Sequence, residues 1–307
     1  MIDTGRLVVR ARFDRMGLGE LGVELTRPSV TRLFLGQSPD AVCKTVPYLF
    51  TLCANAQRAA AQAAVAVARG EAPRVFDSGE LWREVLHENL WRLLLDWPPA
   101  LGLPPAREAF IDWRNRRQGG DYPDATRKLF ECCLQPMSDK CLAILGEHRR
   151  AESLPDDRQE PPPTATLSPE AWLAYWQGCS SHMPTMPRPA SIRSVFMARL
   201  AETEAALDAL VCAAPFPLAG AGGNGWGVGQ TLTARGVLTH AVHLVDGKVA
   251  DYRVQAPTDN FFADAAALSS LLANLEFTSL DQARQVLNQA ILALDPCLPY
   301  VVELQDA

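Results

Sequence analysis

Apolar and polar residues alternate over 6–13 (RLVVRARF) and again over 21–26 (LGVELT), the two-residue period of half-buried strands. The chain is therefore expected to open as a hairpin that turns across Gly17–Gly19. Arg32 to Leu35 leads into the stretch 36–70, GQSPDAVCKTVPYLFTLCANAQRAAAQAAVAVARG. Ser38 is placed to cap a helix and Pro39 suits its first turn. Pro47 lacks an N–H, so a second helix is expected to start there, run from Tyr48 to Arg69 and close on Gly70 in the left-handed conformation. Nine alanines between Ala54 and Ala68 leave little side-chain bulk, which lets neighbours approach on several sides and marks this helix as buried.

Beyond Gly70 the apolar period lengthens to three and four residues, predicting helices over 79–95, 106–118, 123–135 and 137–150. Residues 151–167 (AESLPDDRQEPPPTATL) are charged, proline-rich and without period, as an exposed linker or loop would be. A short helix at 168–177 behind Ser168-Pro169-Glu170 and a long one at 190–212 complete a helical middle region, 71–215. A glycine-rich loop, AGAGGNGWGVGQ, then leads into a hairpin, TARGVLTHAVHL and KVADYRVQAP around Asp246-Gly247. Helices at 260–275 and 278–294 bring the chain to Asp295-Pro296-Cys297. The fold class expected is α+β, mostly helical: a central helix bundle with a small N-terminal sheet and a C-terminal hairpin, as a single domain over 1–307.

Composition narrows the function. With 29 basic against 35 acidic residues the net charge is −6, without the excess of cations that a nucleic-acid or anionic-lipid surface needs. No apolar run is long enough to insert in a membrane, and MIDTGRLVVRARFDR lacks the apolar core of a signal peptide, so a cytoplasmic location is expected. The eight cysteines are then free thiols or metal ligands, and without any CxxC pair a tetrathiolate site is not expected.

Most of the candidate chemistry has a plain structural reading. GWGVG (225–229) lacks the GK[ST] ending and the strand–helix setting of a phosphate loop, so its glycines serve tight backbone packing. Cys43, Cys132, Cys133 and Cys141 fit helix cores. Cys179 and His182 make only half a metal site, and His240 and His243 on one strand point to opposite faces. Cys53 and Cys297 differ from these. Cys53 stands near a helix start, where free N–H groups and the dipole favour a thiolate. Cys297 follows Asp-Pro, which stops a helix and turns the side chain out.

With those positions in view, the chain resembles the nickel–iron hydrogenase large-subunit superfamily. Gly36 and Pro39 match the lead-in to its first cysteine motif. WGVGQTLTARGVLTHAVHLVDGKVADYRVQAPTDN is similar to its G-x-G…APRG…H…DGK…Y…PT-x-x-N segment, and ALDPC at 293–297 to its closing DPCxxC. The likeness covers roughly 1–70 and 222–303, and implies a hydrogenase large-subunit-like fold. Arg235 and Thr258 match family positions that contact cyanide ligands of an iron, with Pro257 as a further cofactor-binding position. Ala234 stands where the family has proline.

Departures from the family imply the function. Of the four cysteines that hold nickel and iron only Cys53 and Cys297 are kept, while Phe50 and Tyr300 occupy the other two positions. Gln57 and Glu303 replace histidines, and the proton-relaying RIEGH motif has no counterpart. Two thiolates do not supply nickel's sulfur ligands, so neither nickel nor hydrogenase activity is expected, and the chain is read as no enzyme. The resemblance implies instead a scaffold that carries the Fe(CN)2CO unit transiently on Cys53 and Cys297. Its implied partners are the Hyp maturation factors and the hydrogenase large-subunit precursor. The alternative is a catalytically dead large-subunit homologue with a structural or protein-interaction role.

Overall fold

The computed structural model describes residues 5–14, 17–74, 77–147, 166–273 and 275–306, so most of the expected linker at 151–167 lies outside the described residues. Strands β1 (Arg6–Asp14) and β2 (Gly17–Thr26) form the expected hairpin, but Gly17 and Gly19 already pair with Asp14 and Arg12. A 3-10 turn at Val30–Phe34 precedes α1 (Pro39–Leu49) and α2 (Ala54–Ala68). Ser38 caps α1 by accepting from the Ala41 N–H at 3.3 Å. The break expected at Pro47 falls later: α1 runs through it to Leu49, and α2 starts only at Ala54, which makes Cys53 its N-cap. Gly70 has φ +78°, the left-handed exit expected of it.

The helical middle comprises α3 (Ser78–Trp91), α4 (Trp97–Ala100), α5 (Arg107–Arg114), α6 (Tyr122–Leu129), α7 (Gln135–Glu147), α8 (Pro169–Trp176) and α9 (Ile192–Val211). Two π-helical turns, Arg92–Asp96 and Phe130–Leu134, carry α3 into α4 and α6 into α7 where breaks were expected. Each turn ends two residues before a proline, Pro98 and Pro136. The wider turn relieves the clash between a proline ring and the carbonyl four residues back, so the helix bends without stopping.

Strands β3 (Leu218–Gly223), β4 (Trp226–Thr233), β5 (Gly236–Val245) and β6 (Lys248–Gln255) form a sheet in that order. The glycine-rich stretch expected as a loop is thus two strands. Its glycines lie against α2: a Cβ on Gly227 would stand 2.0 Å from the Ala64 carbonyl oxygen, and one on Gly229 2.2 Å from that of Ala60. Backbone packs on backbone here, which accounts at once for the glycines of the sheet and the alanines of the helix.

The chain finishes with α10 (Pro257–Phe261), α11 (Ala266–Leu272), α12 (Leu280–Leu294) and β7 (Tyr300–Asp306). β7 pairs in parallel with β1, Leu7 opposite Tyr300, in a sheet ordered β2-β1-β7. This strand was not foreseen, and it ties the end of the chain to its beginning. One cluster of buried apolar side chains runs from Leu7 through Leu90, Trp97 and Phe196 to Ile291, joining both ends to the helical middle. No helix among the described residues is long and apolar enough to cross a membrane.

Candidate functional site

Cys53, Arg235, Thr258 and Cys297 come from four separate elements that converge beside this core. Cys53 caps α2, and Arg235 lies in the β4–β5 turn, where its N–H donates to the Thr233 hydroxyl at 3.1 Å. Thr258 sits in α10 just after Pro257, which packs against the same turn at Gly236. Cys297 follows α12, whose last turn closes on Asp295 in the left-handed conformation, φ +49°.

Thr258 and Cys297 are locked together. The Thr258 hydroxyl donates to Cys297 Sγ at 3.3 Å and accepts the Cys297 N–H at 3.1 Å. Arg27 Nη2 donates to the same sulfur at 3.3 Å, held in place by a 2.7 Å contact from its Nε to Asp259. Cys297 Sγ thus already receives two hydrogen-bond donors.

Cys53 is set up differently from the sequence expectation. The N–H groups of Asn55 and Ala56, which were to favour a thiolate, are taken by the Glu84 carboxylate at 2.8 and 3.0 Å. Burial pushes the Cys53 thiol up to about 12; Arg235 and a hydrogen bond from Gln57 pull the other way, and Glu84 and Cys297 add to the rise. Arg235 and Cys297 thus both lie near Cys53. The thiol keeps its proton because the cost of burying a thiolate outweighs the pull of Arg235.

Arg235 is more deeply embedded than a cation simply facing a cluster. Its Nη2 bonds Glu88 at 2.9 Å and its Nε lies 3.4 Å from Asp295, with the side chain only 3% exposed. Asp295 also holds Arg92 at 2.7 Å and Arg199 at 3.1 Å. Burial works to raise the Asp295 carboxyl, yet Arg235, Arg199 and Arg92 together hold it below the usual range. Glu88 is likewise lowered against its burial, by His87 and Arg235. Amid these pairs Arg235 Nη1 is left with no hydrogen-bond partner among the described residues. A buried guanidinium N–H without a partner is a donor waiting for an acceptor.

The remaining candidates are placed as follows. Phe50, half-buried, packs toward His240, ring centroids 6.3 Å apart, whereas Tyr300 is 39% exposed and reaches Asn288 at 3.5 Å. His240 turns inward to Gln57 and His243 stacks on Trp226 at 4.7 Å, the opposite faces expected. Cys43 and Cys141 are buried in the core as expected, whereas Cys133 is half-buried and Cys132 is exposed. Among the described residues no three His, Cys, Asp or Glu side chains group as a metal-binding set. Sequence reading missed Arg27, Glu84, Glu88, Arg92 and Arg199. Each acts through a contact spanning tens to hundreds of residues, and no local spacing signals it.

No protein-family model matches the chain. It is 31% identical, over an alignment 350 positions long, to the hydrogenase expression/formation protein HupK of Azotobacter vinelandii, across 99% of both chains. It is 26% identical, over an alignment of 398 positions, to the hydrogenase expression/formation protein HoxV of Cupriavidus necator, across 99% of this chain and 96% of that one. Its backbone matches the Ni-Fe-Se hydrogenase of Desulfovibrio vulgaris Hildenborough with a TM-score of 0.60 at 14% identity, over 91% of this chain and 93% of that one. A likeness at that identity concerns the fold, and the structural neighbours are hydrogenase large subunits.

Proposed function

Because the chain belongs to the family of hydrogenase expression/formation proteins that includes HupK and HoxV, we propose that it is a non-catalytic scaffold in hydrogenase maturation. It would receive the Fe(CN)2CO unit from the Hyp maturation factors and pass it to the large-subunit precursor. The observation that carries this reading is Arg235 Nη1, buried and without a partner beside Cys53. Cyanide nitrogens are strong acceptors, and a guanidinium held rigid by Glu88 and Asp295 suits them.

The chemistry of the donor set agrees with such a cargo. Two sulfurs hold an iron whose other positions are filled by its own diatomic ligands, while nickel would want sulfurs that Phe50 and Tyr300 do not provide. The protonated Cys53 thiol leaves no uncompensated charge in the empty protein, and capture of the cargo releases that proton. Arg27 and the Thr258 hydroxyl both donate to the Cys297 sulfur and orient it.

The test is transfer. Protein purified with its maturation factors is mixed with metal-free large-subunit precursor, the two are separated, and infrared spectra of both are recorded. Cyanide and carbonyl bands should leave the scaffold and appear on the precursor. Bands that stay on the scaffold through a full maturation assay would contradict a carrier role.

A further inference from the structure

Within the buried face of α2, otherwise kept to alanine and valine, one polar side chain intrudes: Gln57, 4% exposed. Its Nε2 donates to Cys53 Sγ at 3.5 Å and its Oε1 lies 2.7 Å from His240 Nε2. His240, fully buried on β5, places its Nδ1 2.7 Å from the Tyr252 hydroxyl on β6. An amide oxygen carries no proton, so His240 Nε2–H must be the donor in that contact. The neutral ring then has only an acceptor left at Nδ1, and the Tyr252 hydroxyl must donate to it. Every proton in the series points the same way, toward sulfur. Phe34 packs on the Tyr252 ring at 4.8 Å and Phe50 on the His240 ring at 6.3 Å, which screens the series from water.

We propose that Tyr252, His240 and Gln57 are positioning residues forming a one-way hydrogen-bond chain, which presents a fixed amide N–H to the Cys53 sulfur and weakens its hold on a metal cargo. The inference rests on the reading of Cys53 as a cargo ligand. A donor on a thiolate draws off electron density that would otherwise go to the metal, and it settles which lone pairs face the cargo. A permanent metal site is served by strong ligands, whereas a carrier must let go. The chain also explains why a polar side chain is kept in a helix face that the glycine strands otherwise restrict to small apolar residues. Burial pulls His240 down to about 3, so the ring stays neutral and the direction of the chain does not change near neutral pH.

Two measurements test this. In the metal-free protein, nitrogen-15 NMR of labelled His240 should find the proton on Nε2, and Tyr252→Phe should move Nδ1 toward its unbonded shift. A proton on Nδ1 reverses the chain and overturns the proposal. In the loaded protein, Gln57→Leu should move the carbonyl infrared band to lower wavenumber and lengthen transfer to the precursor severalfold. Tyr252→Phe, which removes one oxygen and little volume, should shift the band the same way by less and serves if the first variant does not fold. Bands that coincide in parent and variants would mean that Gln57 only fills space, and overturn the proposal. A parent without cyanide or carbonyl bands would instead overturn the carrier reading and the purpose assigned to the chain, even with His240 protonated on Nε2.

Discussion

Arg235 and Asp295 face each other at 3.4 Å with side-chain exposures of 3% and 2%, and they join the β4–β5 turn to the end of α12. The contact places the guanidinium beside Cys53 and fixes the segment that leads into Cys297. It makes Arg235 a structural ion-pair partner as well as a donor, which has a measurable consequence.

Arg235→Leu should lower unfolding free energy by about 3–5 kcal/mol in urea titration, since it leaves Glu88 and part of Asp295 buried without their cation. Arg235→Lys should keep most of the stability but lose the forked donors, so cargo bands should fall while the unfolding midpoint barely moves. A fully stable Leu variant would mean that Arg92 and Arg199 alone balance the buried carboxylates.

The contact between α2 and the glycine strands predicts a steep contrast between two glycines. Gly227→Ala puts a Cβ 2.0 Å from a backbone oxygen that cannot move aside, and should cost more than the ~1–3 kcal/mol of ordinary overpacking. Gly247→Ala, with φ +72° and open space around it, should cost only about 1–2 kcal/mol from the left-handed backbone. Thermal melts of the two variants check this.

Acid should destabilise the protein through His240. The unfolded imidazole takes a proton below about 6.5, while the buried ring resists it until about 3, so protons favour the unfolded state between these values. Stability is unaffected by this residue above pH 6.5. It falls by up to ~1.4 kcal/mol per unit below it, about 2 kcal/mol by pH 5. Urea titrations across pH 5–7 should show this slope in the parent and its loss in His240→Asn.

Metal analysis adds a fourth expectation. Nickel should be absent from the parent protein grown with nickel supplied, because on the proposed reading Cys53 and Cys297 offer only two sulfurs, with Phe50 and Tyr300 at the other two positions. Stoichiometric nickel there would overturn the ligand assignment.

Elements with local signals were legible from sequence. Ser38, Ser168 and Gly70 marked helix ends, and Asp246-Gly247 marked the β5–β6 turn. Gly220 to Gly229 were not legible as strands, because glycine is a poor strand former until a helix packs directly on its backbone. β7 was hidden because its partner β1 lies at the other end of the chain. The site itself was legible only in part. Cys53, Cys297, Arg235, Pro257 and Thr258 stood out through resemblance, whereas the buried pairs around Asp295 and the Gln57–His240 contact depend on neighbours far away in sequence.

On the proposed reading, Cys53 helps to hold a cyanide- and carbonyl-bearing iron. The most direct measurement is the infrared spectrum of the protein purified from cells with the maturation machinery, beside that of Cys53→Ser, in the window where protein scarcely absorbs. The parent should show cyanide and carbonyl stretches, and the serine variant should lack them while melting at nearly the same temperature. Bands of equal strength in both proteins would contradict the claim.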